Sequence, residues 1–404
     1  MAVSALQSSS GSQASGRSQQ YVVDSPSAAA LVVLAMLGAY VLLKPFYILP
    51  SGLPQPADML LALALPFALT LPLPTQSEDI RIVQLLLATF CSYAALVSLS
   101  WAFALMDHRV ALFAAHYSFN LCLAIIVVRV GQRYPEATFR AIAYGLAISA
   151  VIQAALIALT YDAARLRQIA SFNNPNQLGY WSLLSLCIFW SIAGEIRIRW
   201  YIQAPTVVCL LYTAASSLSK ASMISVALLC VLHFMKKPKL LFIALLGVAA
   251  ALVVLADTSL VERVTGRLEN IGEQQDDTLE SRGYIRILGY PEYMVIGAGE
   301  GALYRFGDPD DDDQQIREIH STLGTILFSY GLIGLAVFAT AMWRLYRLSS
   351  AARLIYLLPP FLYGFTHQGL RFSFLWLLFA VLAVLGATSG RRRKLVAEYR
   401  GGHA

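Results

Sequence analysis

DTSLVERVTGRLENIGEQQDDTLESRGYIRI, Asp257–Ile287, is the one long polar stretch in a chain that is otherwise almost continuously apolar. Beyond it come a glycine cluster (Gly297, Gly299, Gly301) and an acidic run from Asp308 to Asp313, before HSTLGTILFSYGLIGLAVF (His320–Phe338) resumes the apolar pattern. On both sides the sequence divides into apolar segments of roughly 20 residues, the length at which a helix crosses the hydrocarbon core. Of the 404 residues, 57% are hydrophobic and only 13% charged. A soluble domain carries about 25% charged residues, so half of the usual solvated surface is missing. The fold class that follows is all-α, a polytopic membrane protein with one large external loop over 257–319. A transmembrane barrel is excluded, because its segments would be about 10 residues long and strictly alternating.

Apolar runs and their flanking charges place twelve helices, at 28–47, 57–73, 82–104, 109–129, 138–160, 177–194, 200–216, 220–235, 239–256, 319–343, 353–366 and 371–389. Residues 1–27, rich in Ser, Gln and Ala, form a disordered cytoplasmic tail, and 390–404 a basic one. Lys and Arg recur in alternate turns: Arg129, Arg133 and Arg140; Arg197 and Arg199; Lys236, Lys237 and Lys239; Arg344, Arg347 and Arg353. By the positive-inside rule both termini are cytoplasmic. The net charge of +6 then reports topology, and no nucleic-acid partner is implied. The five cysteines lie in apolar stretches without disulfide or zinc spacing, as small core residues do.

Some basic residues stay on the outer side against that bias: Arg165, Arg167, Lys220, Arg371 and, in the long loop, Arg263, Arg267, Arg282, Arg286, Arg305 and Arg317. Retained there, they suggest an anionic ligand. Headgroup snorkelling and surface pairing with nearby carboxylates explain Arg263, Arg267 and Arg305 better. FNNPNQLG (Phe172–Gly179) has the Asn caps and early Pro of a helix start. With Arg165 and Arg167 upstream, Asn174 and Asn176 make that start a candidate anion site. SRGYIR places Arg282 and Arg286 four apart, spaced to clamp a phosphate or simply to pair with Glu280 along a solvated helix. The cluster GAGEG lacks the spacing of a dinucleotide fingerprint and marks a tight turn. The acidic run lacks the Gly and the twelfth-position carboxylate of a calcium loop. His320 is expected to open a helix on which Gly324, Leu327, Gly331 and Gly334 form one stripe for close helix packing. A lone interfacial His is more often structural than catalytic, and His108, His116 and His233 are taken as structural.

Together, FNNPNQLG, SSLSKAS, SRGYIR, IHSTLGTILFSYGLIG and THQGLRFSFLW, in that order, resemble the O-antigen ligase and polymerase-like family of bacterial membrane glycosyltransferases. The resemblance implies a GT-C-like fold in the bacterial inner membrane, with the large loop in the periplasm. It implies an undecaprenyl-pyrophosphate-linked glycan donor and a glycan or lipid-linked acceptor. A flippase and a chain-length regulator are the implied partners. Carried over by position, His320 is the catalytic residue and Arg282 and Arg167 hold the pyrophosphate. Lys220 stands where many relatives have Arg, and the choice between Arg282 and Arg286 stays open. The remaining substrate-binding candidates are Arg165, Asn174, Asn176, His367 and Arg371, with His367 the alternative base. Cations can stabilise a departing pyrophosphate and an imidazole can accept the acceptor's proton, so no metal and no cofactor is expected. Within the family, polymerisation is preferred over ligation to lipid A–core. A transporter also fits twelve helices, but it predicts mid-membrane ionisable groups and repeat symmetry.

Overall fold

The structure, a computed structural model, describes residues 25–49, 54–72, 78–160, 167–235, 237, 239, 266, 284–301, 319–349 and 351–401. The expected tail up to residue 24, the body of the span at 239–256, and most of the polar stretch, including Asp308–Asp313, lie outside these residues. Regular structure among the described residues is entirely helical. The helices are α1 (Ala28–Leu43), α2 (Pro56–Thr70), α3 (Glu78–Leu105), α4 (His108–Arg133), α5 (Pro135–Leu159), α6 (Pro175–Ala193), α7 (Trp200–Ser216) and α8 (Lys220–Phe234). After the polar stretch come α9 (Tyr284–Gly289), α10 (Thr322–Ser349), α11 (Leu358–Gly364) and α12 (Ser373–Gly401).

Four of these, α3, α4, α5 and α10, are long and apolar enough to cross a membrane, and α1, α2 and α8 are shorter apolar helices. The span expected at 353–366 is instead a 3-10 turn, Ala351–Tyr356, followed by the seven-residue α11. Pro359 and Pro360 explain this, since they suit a helix's first turn and would break its interior. At the C-terminal end α12 runs on through the expected basic tail as far as Gly401.

Two helices form the centre. In α6 every residue from Leu178 to Ile192 is buried, and in α12 the run Phe374–Leu385 is buried without a break. A helix that is apolar all round must be covered all round, and α4, α7, α8 and α10 provide the cover. Large side chains left exposed on the outer helices, such as Leu85, Leu96, Phe103, Ile148, Val151 and Val208, suit contact with lipid, and the protein is membrane-embedded.

The expected glycine stripe does not form as one helical face. The helix begins at Thr322, so His320 precedes it, and at Gly331 the backbone leaves helical geometry (φ 63°, ψ −170°). A break inside an apolar helix frees backbone groups that lipid cannot satisfy, at several kcal/mol each. Here they are met by the glycine-rich segment. Ala298 and Gly299 donate to the carbonyls of Phe328 and Ser329 at 2.8 and 2.9 Å, while Leu332 and Ile333 donate to Met294 and Val295 at 2.7 and 3.3 Å. Gly297 (φ 102°) and Gly331 are needed for this splice. A Cβ at either would stand 2.3 Å from the Ser329 carbonyl oxygen and 2.2 Å from that of Val295, respectively. The close approach that these glycines allow is therefore to a loop rather than to a helix.

Candidate active site

The five sequence fragments, far apart along the chain, meet at one end of the bundle. Asn174 caps α6, accepting from Gln177 N at 2.9 Å. Behind it, Gly179 packs on the SSLSKAS turn, where its missing Cβ leaves room for Ser217 and Ser222, and Ser222 Oγ donates to the Gly179 carbonyl at 2.8 Å. Arg167 joins the same two fragments: Nε donates to the Ser217 carbonyl at 3.0 Å and Nη2 to Asn176 Oδ1 at 2.5 Å. Tyr284, from SRGYIR, donates to the Phe365 carbonyl at 2.7 Å, and its hydroxyl lies 2.5 Å from Ser321 Oγ. Thr322 ties the start of α10 to the THQG turn, donating to the His367 carbonyl at 3.1 Å and accepting from Gly369 N at 2.9 Å.

Between three of these fragments (FNNPNQLG, the His320 end of HSTLG and THQGLRFSF), with residues of α4 and of the C-terminal end of α1 beside them, lies a cavity of about 340 Å³, a size suited to a small-molecule site. His320, Asn174, Asn176, His367 and Arg371, all expected site residues, line it together. Its aromatic wall is a stack. Tyr363 stacks with Tyr180 at 4.2 Å and 10° and with His367 at 4.7 Å and 25°. Thr366 Oγ1 lies 3.2 Å from the Tyr363 carbonyl and 3.1 Å from His367 Nδ1, which ties the ring to its own turn.

The remaining expected residues divide. Arg167 lies outside the lining and bonds Asn176, which is part of it, and Lys220 is the half-buried first residue of α8, also outside the lining. Arg165 and Arg282 lie outside the described residues, and Arg286 is placed on α9 by its backbone alone. Three further residues belong here that the sequence reading missed. His116, taken as structural, also lines the cavity. Lys44 lines it too, its ammonium 2.6 and 2.8 Å from the two carboxylate oxygens of Asp58, with both side chains only 5% exposed. Glu300, from the glycine cluster, is 3% exposed and pairs through Oε2 with Arg371 Nε at 3.1 Å. A lone acid between glycines was the signal available for it. Among the described residues, no group of three or more His, Cys, Asp or Glu is placed to hold a metal ion.

No curated protein matches the chain. A family model described as O-antigen ligase matches residues 205–339, from α7 through the polar stretch to the middle of α10. The family indicates an enzyme of glycosyltransferase type. By this match, residues 205–339 are similar to the O-antigen ligase family, which supports an O-antigen ligase or polymerase-like relationship.

Proposed function

We propose that the protein transfers a glycan from an undecaprenyl-pyrophosphate donor to an acceptor hydroxyl at the periplasmic face of the bacterial inner membrane, polymerising repeat units of a surface polysaccharide. One observation carries the reading: His320, His367 and Arg371 share a cavity with the capped start of α6, inside a chain that matches the O-antigen ligase family. His320 takes the proton of the acceptor hydroxyl. The acceptor oxygen forms its bond to the anomeric carbon as the bond to pyrophosphate breaks, and that electron pair leaves on the phosphate oxygen. Arg371 at the cavity, with Arg282 from the polar stretch and Arg167 behind Asn176, offsets the departing charge, as fixed donors do for a developing anion. An imidazole suits the proton transfer because its ordinary pKa lies near 6.5. The step as written needs no metal. A flippase supplying the donor and a chain-length regulator are the partners this reading calls for.

The printed description of the matched family, O-antigen ligase, favours a second reading, transfer of a finished glycan to lipid A–core. Products separate the two: a ladder of repeat lengths on purified lipid-linked substrate means polymerase, and a single transfer to a core acceptor means ligase. In that assay, run in EDTA, His320→Ala is expected to lower turnover by about 10²–10⁴, the usual loss of a general base, while gel filtration shows folded protein. Near wild-type turnover would overturn the assignment and move it to His367. Activity that returned only with added Mg²⁺ or Ca²⁺ would overturn the metal-free step.

A further inference from the structure

Arg371 is an unusual cavity residue because its partners among the described residues come from distant parts of the chain. Its guanidinium lies over the Phe113 ring at 4.9 Å, and its carbonyl accepts from Asn120 Nδ2 at 3.2 Å. Both partners are on α4. Its counter-ion, Glu300, follows the glycine-rich segment that splices the break in α10. Oε1 of that carboxylate accepts from Tyr117, again on α4, and Tyr117 packs edge-on against Tyr330, the residue before the break. The segment itself is pinned: Tyr93 donates to the Ile296 carbonyl at 2.6 Å, and Gly299 (φ 74°) sits so close to Trp101 that a Cβ would lie 2.7 Å from its ring.

A buried carboxylate without these partners would be costly to keep charged. Placed where it is, it sets an opposite charge 3.1 Å from the Nε of a guanidinium whose side chain keeps 24% of its surface open and which lines the cavity. A long, flexible cation holds a phosphate well only if its rotamers are already restricted. We propose that Glu300 is a positioning residue: it aims Arg371 at a pyrophosphate-bearing ligand, and so makes cavity affinity depend on the splice in α10. This rests on the function proposed above.

The test is equilibrium binding of radiolabelled undecaprenyl pyrophosphate to the purified full chain, comparing Glu300→Gln, Arg371→Gln and the double variant. Glu300→Gln keeps the shape and one hydrogen bond but removes the ion pair. It is expected to weaken the Kd about tenfold, the size of one charge-assisted contact. Arg371→Gln should weaken it at least as much, and adding Glu300→Gln to Arg371→Gln should change nothing more. The double variant buries no unpaired charge, so it also guards against a single variant that fails to fold. Two outcomes overturn the proposal while leaving the function standing: Glu300→Gln binds as wild type does, or the two losses multiply independently. A wild-type chain that binds no lipid pyrophosphate overturns the underlying function instead.

Discussion

Lys44 and Arg371 both line the cavity, each held by a buried carboxylate, yet Lys44 finds Asp58 within the α1–α2 hairpin while Arg371 finds Glu300 from a distant segment. The polar contacts of Asp58 with Lys44 and Gln55 are made within the hairpin. Gln55 Oε1 accepts from the amides of Ile48 and Leu49 at 2.9 and 3.1 Å, its Nε2 donates back to Leu49, and Asp58 accepts from Gln55 N at 2.7 Å. Lys44 therefore has its carboxylate as soon as two neighbouring helices are in place, and α4 adds the Phe119 ring, 5.7 Å from the ammonium. Arg371 needs α4, the spliced segment and the α11–α12 turn at once. A local pair gives a cavity a fixed wall, whereas a pair closed over long range makes the wall respond to the segment that closes it.

The largest effect should come from breaking the local pair. Asp58→Ala leaves the Lys44 ammonium buried without its carboxylate and is expected to cost about 3–5 kcal/mol, read as a fall in Tm of the purified protein. Lys44→Met combined with Asp58→Leu should recover most of that loss, because an apolar pair of similar volume carries no desolvation cost. A double variant as unstable as Asp58→Ala would mean that the hairpin needs the charges for something other than each other.

The next effect sharpens the contrast. Gly331→Ala puts a side chain at φ 63°, with its Cβ 2.2 Å from the Val295 carbonyl oxygen. Strain of this kind costs about 1–3 kcal/mol, and the segment carrying Glu300 must shift to relieve it. Expected together are a smaller fall in Tm than for Asp58→Ala and a weaker Kd for undecaprenyl pyrophosphate, like that of Glu300→Gln. Unchanged binding would show that the splice and Arg371 are not connected.

How much was legible follows from the same contrast. Helices α3 to α8 were visible because apolar run length and flanking charge are local properties, and their ends fall within a few residues of expectation. The break at Gly331 was not, because the apolar pattern of α10 runs straight through it and only the 294–299 segment explains it. Asn174, Asn176, His320, His367 and Arg371 came from fragments whose order resembled a family. Lys44 and His116 escaped because each is a single polar residue on an apolar helix, and nothing nearby in sequence says which face meets a cavity. Glu300 escaped for a stronger reason: its partners Tyr117 and Arg371 lie on either side of it in the chain, at distances no spacing rule covers.

The smallest effect belongs to the ion pair easiest to see in the sequence. Asp107 and Arg109 are two residues apart, and the carboxylate accepts from Arg109 Nε at 3.0 Å and Nη2 at 2.7 Å while also accepting from the Arg109 amide at 2.9 Å. These contacts, the side-chain hydrogen bond first, hold the Asp107 pKa down at about 2. A depressed carboxylate contributes stability above its unfolded value, near 3.9, and loses it as pH falls through the folded one. Any contribution is therefore fully present at neutral pH and fades only between about pH 4 and 2. It is also weak, because Asp107 and Arg109 face solvent, and water and salt screen such pairs. Asp107→Asn keeps the cap on α4 and removes only the charge. Its Tm should match wild type within error at pH 7, at low and at high salt. A loss at pH 7 that salt abolished would mean that an exposed pair can anchor this bundle as a buried one does, and the contrast between Lys44 and Arg371 would then turn on charge alone rather than on what encloses it.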